Sequence, residues 1–357
     1  MLVILVLISI NSVNATYVSE NETIMGISDD NKLNLDLYYS DLLTSGEKNI
    51  YINKDNYNPA SILNENNTIF HFDAGTYNLN LNNIEDKNLK FIGVDSTIFT
   101  NNNDFIISKS NVQFENIQFR NLRFELLDST LTFNNVEASD INLNKNGGFI
   151  FCNNGFNTIN INKSKFNNNN VLSSTAGTIF LNNGILNCYN SNFTHNTALQ
   201  SGSVYLNNAY AQFIGCLFNH DVSSDKESGA IFIKNSDCNI SNTNFNYCSA
   251  DNGAALSTLN SKTSVINSNF IGNTVNTING GIIYGMYGSL SINNTNFKNN
   301  DANNGAIIYT DSIIFDLSNV KYSNNKNSIN VYAEDSQFSL YRNNTYTPIF
   351  SNQIVVT

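Results

Sequence analysis

The sequence predicts an all-β protein, a single-stranded parallel β-helix (solenoid) in which three short strands make each coil and about 10–11 coils stack. Three observations predict it. An aromatic residue, followed three positions later by Asn in most copies, recurs at Phe166, Phe193, Phe218, Phe245, Phe270, Phe297 and Tyr322, at spacings of 27, 25, 27, 25, 27 and 25 residues. Aligned on those aromatics, apolar columns fall two residues apart. One contains Ile159, Leu186 and Leu290, and the other contains Ile161, Phe213 and Ile292. That step is the period of a strand with one buried face, and no stretch sustains the i, i+3, i+4, i+7 spacing of a helix. Finally, 73 of the 357 residues are Asn, yet they are interleaved with regularly spaced Ile, Val, Leu and Phe. A polar tract without that interleaving would read as disordered.

The elements follow in order. Residues 1–15, MLVILVLISINSVNA, read as a signal peptide: a short apolar run from Leu2 to Ile10, then a small-residue cleavage site at Val13-Asn14-Ala15, with no Lys or Arg ahead of the run. The run is about half the length that spans a bilayer, and no second one follows, so no integral membrane span is expected in the mature chain. Residues 16–65 lack the repeat and are read as an N-terminal segment that caps the first coil, because an open coil end would present unpaired strand edges. The helix itself is placed at 66–350. Its opening coils include the segment from Thr68 to Tyr77, and Val112 and Phe114 keep the same frame. Residues 351–357 are left as a C-terminal tail.

Within a coil three columns have distinct tasks. Three residues after the aromatics stand Asn169, Asn196, Asp221, Cys248, Asn273, Asn300 and Asn325. A side-chain amide both donates and accepts, and Asn tolerates the left-handed backbone of tight turns, so the Asn residues of this column are read as an internal ladder along the axis. A Gly leads another strand at Gly148, Gly177, Gly202, Gly229, Gly253, Gly281 and Gly305. The third residue beyond each Gly should face outward: Phe151, Phe180, Tyr205, Phe232, Leu256, Tyr284 and Ile308. These would form a stripe of roughly 30 Å at the coil spacing of about 4.8 Å, offering flat ring faces to sugars or proteins. A register shifted by one residue would instead turn these rings inward.

The paired motifs, Gly229-Ala-Ile-Phe232 and Phe297-Lys-Asn-Asn300, resemble the GGA[ILV] and FxxN repeats of chlamydial polymorphic outer-membrane proteins. The Asn-rich style, with N-x-S/T sites at Asn66, Asn162, Asn192, Asn239, Asn293 and Asn343, is similar to that of the Asn/Thr-rich adhesin-like surface proteins of methanogenic archaea. The resemblance covers roughly residues 66–346. It implies a right-handed parallel β-helix exposed at a cell surface, with the sequons as sites for glycans. This sequence reaches Thr357 without the C-terminal β-barrel or sorting signal of those groups, which keeps a fragment of a larger surface protein as one reading.

Other chemistry is sparse. Net charge is −11, with 18 basic against 29 acidic residues, so phosphate neutralisation and hence nucleic-acid binding are not expected. Five cysteines stand at 152, 188, 216, 238 and 248. A disulfide needs Cα atoms within about 7 Å, which adjacent coils offer to two cysteines sharing a column. Cys188, Cys216, Cys238 and Cys248 occupy four different columns, so mostly free, buried thiols are expected. His71, His195 and His220 lie far apart and no CxxC occurs, so no metal or other cofactor is expected. The one polar cluster, Asn219 to Glu227, holds Asp221, Asp225, Lys226 and Glu227 in a turn, and a solvated loop is the plainer reading of it. The sequence therefore predicts a secreted or cell-surface adhesin-like protein without catalysis, its partner an extracellular glycan or protein surface. A polysaccharide-active lyase or glycoside hydrolase is the alternative.

Overall fold

The structure is a computed structural model. It describes residues 47–340, except 102, 144, 226, 278–279, 304 and 327–328, together with 345–346 and 354–356. The signal-peptide reading, most of the capping segment and most of the tail lie outside the described residues. The chain divides into two units, Met1–Glu47 and Lys48–Thr357.

The second unit is a parallel β-solenoid with three sheets per coil and almost no helix. Among the described residues the first sheet has 21 strands, the second 12 and the third 5, and every strand pairing is parallel. Among the described residues the first strand is Lys48–Ile52, which pairs residue for residue with Thr68–Phe72, ahead of the point where the repeat becomes legible. Between those strands lies one short helix, Pro59–Ile62. Asn58 caps it by accepting from the Ala60 N–H, proline occupies its first turn, and Ile62 joins the core. Early coils are short, since Leu89 pairs with Val112 and Val112 with Leu131. Among the described residues the strands of the third sheet run from Asn170 to Val275, and single parallel bridges continue its column from Thr274 to Asp301 and Lys326.

The aromatics that define the repeat point inward. Phe166, Phe193, Phe218, Phe245, Phe270, Phe297 and Tyr322 form one continuous stack with ring centroids 4.7–5.4 Å apart and planes within 23°. Coil spacing dictates this, since like residues stand over like at the strand separation. The first coils use a second stack, Phe70, Phe91, Phe114 and Phe133.

The abundance of Asn has a local cause. Among the described residues, 30 non-glycine positions have positive φ, and 18 of them are Asn. Each coil turns its corners through single left-handed residues, and Asn occupies that conformation at less cost than other side chains because its amide hydrogen-bonds locally. Corner amides then bond along the axis from coil to coil, as from Asn319 to Asn294 and from Asn294 to Asn267.

The column beginning at Asn169 is buried at one such corner. The Oδ1 of Asn196 accepts the Asn169 N–H at 3.1 Å, that of Asn300 accepts the Asn273 N–H at 2.9 Å, and that of Asn325 accepts the Asn300 N–H at 3.0 Å. Each Nδ2 donates to a carbonyl of the preceding coil: Asn196 to Phe166, Asn273 to Phe245, Asn300 to Phe270, Asn325 to Phe297. One side chain thus satisfies a donor and an acceptor that the corner would otherwise bury unpaired.

The Gly column marks a close approach. A Cβ on Gly177, Gly202 or Gly229 would stand 2.0–2.1 Å from the carbonyl oxygen of Gly202, Gly229 or Ala254 in the next coil. Gly253 departs from this column: it bridges Ser228, and a Cβ on it would meet Ser257 Oγ at 2.1 Å. Gly281 pairs with Gly253 and with Ala306, so Gly305 falls one residue ahead of the column.

Candidate functional site

That slip corrects the outward stripe. Strand pairing runs Phe151, Phe180, Tyr205, Phe232, Ser257, Tyr284, Tyr309 and Tyr332, with Glu125 ahead of them. Leu256 and Ile308 instead pair with Ile283 in the buried inner column. A bulge between Gly253 and Leu256 inserts the residue that shifts Leu256, and Ile308 faces inward because Gly305 stands one residue ahead of Ala306, the register partner of Gly281. Phe151, Phe180, Tyr205 and Tyr284 are half-buried on the outer face, but Phe232 is only 6% exposed. Tyr309 and Tyr332 join them, unpredicted. The signal for Tyr309 was present in Ala306-Ile-Ile-Tyr309, which repeats Gly281-Ile-Ile-Tyr284 with the glycine displaced.

Ring geometry corrects a second expectation. Phe180 and Tyr205 lie 5.0 Å apart with planes 2° from parallel, and Tyr284, Tyr309 and Tyr332 stack at 5.2 Å within 15°. Rings stacked along the axis cover one another's faces, so the surface presents edges and phenol hydroxyls. Ser257 splits the ridge into two stacks. At the other end the Arg123 guanidinium lies 4.5 Å from the Phe151 centroid.

Arg123 is almost fully buried, and sequence reasoning missed it. Its Nη1 donates to Asp104 Oδ2 at 2.8 Å, its Nε to the Asn146 and Gly147 carbonyls, and its Nη2 to the Asn146 carbonyl. Lys145 shares the Asp104 carboxylate at 2.9 Å. Burial lowers the guanidinium's pKa, and Asp104 and Glu125 oppose the shift. The group pins the loop before Gly148 against the first ring of the ridge.

Carboxylates line the ridge. The Tyr309 hydroxyl donates to Glu334 Oε2 at 2.7 Å, and Asp311 is the register neighbour of Glu334 on the same face. Burial, then Asp311, Glu227 and Glu334, raises the Tyr284 phenol above its ordinary value, and burial with Glu227 does the same for Tyr205. Burial and the bond to Glu334 raise Tyr309. The Tyr309 and Tyr284 hydroxyls act as hydrogen-bond donors, to Glu334 and to Met286 Sδ. The Asn219–Glu227 cluster does not gather at one place: Asp221 turns inward as a rung of the ladder, Asp225 and Glu227 stay half-buried in the turn, and Lys226 lies outside the described residues. His195 and His220 stack 4.9 Å apart on the surface, and His220 stacks on Tyr247. Among the described residues no group of three or more His, Cys, Asp or Glu side chains converges as a metal site, and no helix is long and apolar enough to cross a membrane.

No protein-family model matches the chain, and no curated protein matches its sequence. Solved structures similar to it include the PL6 family alginate lyase AlyGC, at 10% identity over 85% of this chain and 53% of that one, TM-score 0.45. They also include the catalytic unit of a GH87 α-1,3-glucanase from Streptomyces thermodiastaticus strain HF3-3, at 8% identity over 81% and 65%, TM-score 0.42. A third is PfbA, a surface adhesin of Streptococcus pneumoniae, at 12% identity over 80% and 88%, TM-score 0.38. This chain spans about half the length of the alginate lyase. The likeness is one of coil architecture, and the expectation of a protein without catalysis is corrected by it: lyases and glucanases stand among the structural neighbours, so this fold gives no ground for excluding an enzyme.

Proposed function

We propose that the chain is an extracellular recognition protein whose ridge from Phe151 to Tyr332 engages a glycan or protein surface. One observation carries the proposal: seven rings in line on the outer face, all but Phe232 partly exposed, over eight coils, or roughly 34 Å at coil spacing. An aromatic ridge of that length marks an interaction surface. Resemblance of the paired motifs to surface-protein repeats supports an exposed location. The carboxylates of Glu125, Glu227, Asp311 and Glu334 beside the rings favour a neutral or cationic partner over a polyuronate, because like charges along the ridge repel.

The test is binding of the full chain to immobilised neutral, amino-sugar and uronate polysaccharides and to cell surfaces. Phe180→Ser with Tyr205→Ser should reduce capture at least tenfold while the circular dichroism spectrum is unchanged. Unchanged capture by the folded double variant would refute the ridge as the binding surface. A second reading, a polysaccharide-active enzyme, draws support from the carboxylates gathered near Tyr284 and Tyr309. Release of new reducing or unsaturated sugar ends, lost in Glu334→Gln, would favour it.

A further inference from the structure

We propose that Cys188 and Cys216 form a disulfide that staples two adjacent coils. The sequence columns argue against this pair, since the two residues occupy different columns. The structure nevertheless places their sulfurs 3.7 Å apart, both buried. The corner explains how. Cys188 pairs with Phe213 of the next coil, and the chain then bends at Gly215, a left-handed residue, which folds Cys216 back over Cys188. Cys216 Sγ lies 3.5 Å from the Cys188 carbonyl oxygen. One coil further on, Thr243 Oγ1 donates to the Phe213 carbonyl at 3.4 Å from the same relative position. The fold thus generally brings this corner residue over that strand residue of the preceding coil, and here both carry sulfur. Among the described residues, Cys152, Cys238 and Cys248 have no such sulfur neighbour.

The sulfurs must close from van der Waals contact to about 2.05 Å, which side-chain rotation within a packed corner has to supply. In the folded state both thiols are sealed from reagents, so the bond forms while the coils are still closing. A low-molecular-weight disulfide such as oxidised glutathione is the oxidant. The thiolate of one cysteine attacks it, releasing one glutathione thiolate and leaving a mixed disulfide. The second cysteine's thiolate then displaces the other glutathione. Two protein protons and two electrons end on two glutathione thiols. The staple joins the coils that carry Phe180 and Tyr205, the most nearly parallel rings of the ridge.

The test refolds the full chain from denaturant, with either reduced and oxidised glutathione or a strong reductant, then unfolds it at acid pH without reductant for thiol titration in denaturant and non-reducing peptide mapping. Of the five cysteines, three should titrate after oxidative refolding, the chain should be lighter by two hydrogen atoms, and one cross-link should join the peptides containing Cys188 and Cys216. Cys188→Ser and Cys216→Ser should each abolish the link, and Cys238→Ser should keep it. Five thiols titrating in denaturant from the oxidatively refolded chain, or a link between any other pair, would overturn the proposal. If refolding fails, the same map is made on chain produced in an oxidising compartment and never denatured: a link between Cys188 and Cys216 supports the proposal, and five free thiols or another link overturn it.

Discussion

Asp221 is the one acid in the buried corner column, and replacing it with Asn tests what the column requires. Asp221 is fully buried. Its Oδ1 accepts the backbone N–H and the Nδ2 of Asn196, at 2.9 and 3.1 Å, as an amide oxygen would. Among the described residues its Oδ2 meets no hydrogen-bond partner. In Asn196, Asn273, Asn300 and Asn325 the corresponding atom is a nitrogen that donates to a carbonyl of the preceding coil. By that placement an ionised Oδ2 is an acceptor where the corner calls for a donor, whereas a protonated carboxyl supplies one. Burial accordingly raises the Asp221 pKa well above the usual carboxylate range, against the opposing hydrogen bonds from Asn196. The nearest titratable rung, Cys248, is itself held neutral by burial.

Linkage sets the sign. With its pKa raised on folding, the folded chain binds the Asp221 proton more tightly than the unfolded chain. The stability this confers is complete below about pH 4, the unfolded value, and is lost as pH rises through the folded value. Asp221→Asn keeps the shape and supplies the donor at every pH. A buried polar atom without a partner costs about 1–3 kcal/mol, so the variant should be more stable than the parent by about that amount at neutral pH. At about 2–4 °C per kcal/mol that is a rise in Tm of roughly 2–12 °C. The gap should close as pH falls toward about 4. Thermal and urea melts followed by circular dichroism from acid to neutral pH measure it. A variant no more stable than its parent at neutral pH, or a gap indifferent to pH, refutes the reasoning.

The same logic gives other expectations. Asn300→Ala removes the acceptor for the Asn273 N–H and the donor to the Phe270 carbonyl, two buried groups worth about 1–3 kcal/mol each; urea unfolding should show the loss, and Asn300→Asp should unfold more easily as pH rises. Arg123→Met leaves the Asn146 and Gly147 carbonyls without their donor and Asp104 with Lys145 alone. Breaking a buried ion pair costs about 3–5 kcal/mol, and because Asp104 is partly exposed the lower end is expected. Hydrogen exchange should quicken at Gly147 to Phe149 before the remaining coils respond.

One property of a solenoid decides which features are legible in its sequence. Strand pairing sets like over like, so any column read along the axis is visible as a period. Phe166 to Tyr322 and Asn169 to Asn325 were readable for that reason. Contacts that cross columns leave no such trace. The approach of Cys216 to Cys188 arises where the chain bends, and the clasp of Arg123 on Asn146 lies where the repeat has weak punctuation. The glycines misled because they punctuate turns whereas pairing fixes register, and at Gly253 the two part company by one residue. Stacking like over like also limits what the surface can do. It makes the ridge recognisable, and it buries the face of each ring against the next, as between Phe180 and Tyr205. A partner lying along the ridge therefore meets ring edges, the Tyr hydroxyls and the carboxylates beside them. Recognition should depend on hydrogen bonds to those groups more than on platform stacking, so replacing Tyr284 and Tyr309 with Phe, which keeps the rings and removes only the hydroxyls, should weaken capture nearly as much as Phe180→Ser with Tyr205→Ser. Equal capture by the Tyr→Phe variant and the parent would show that ring edges alone carry the contact.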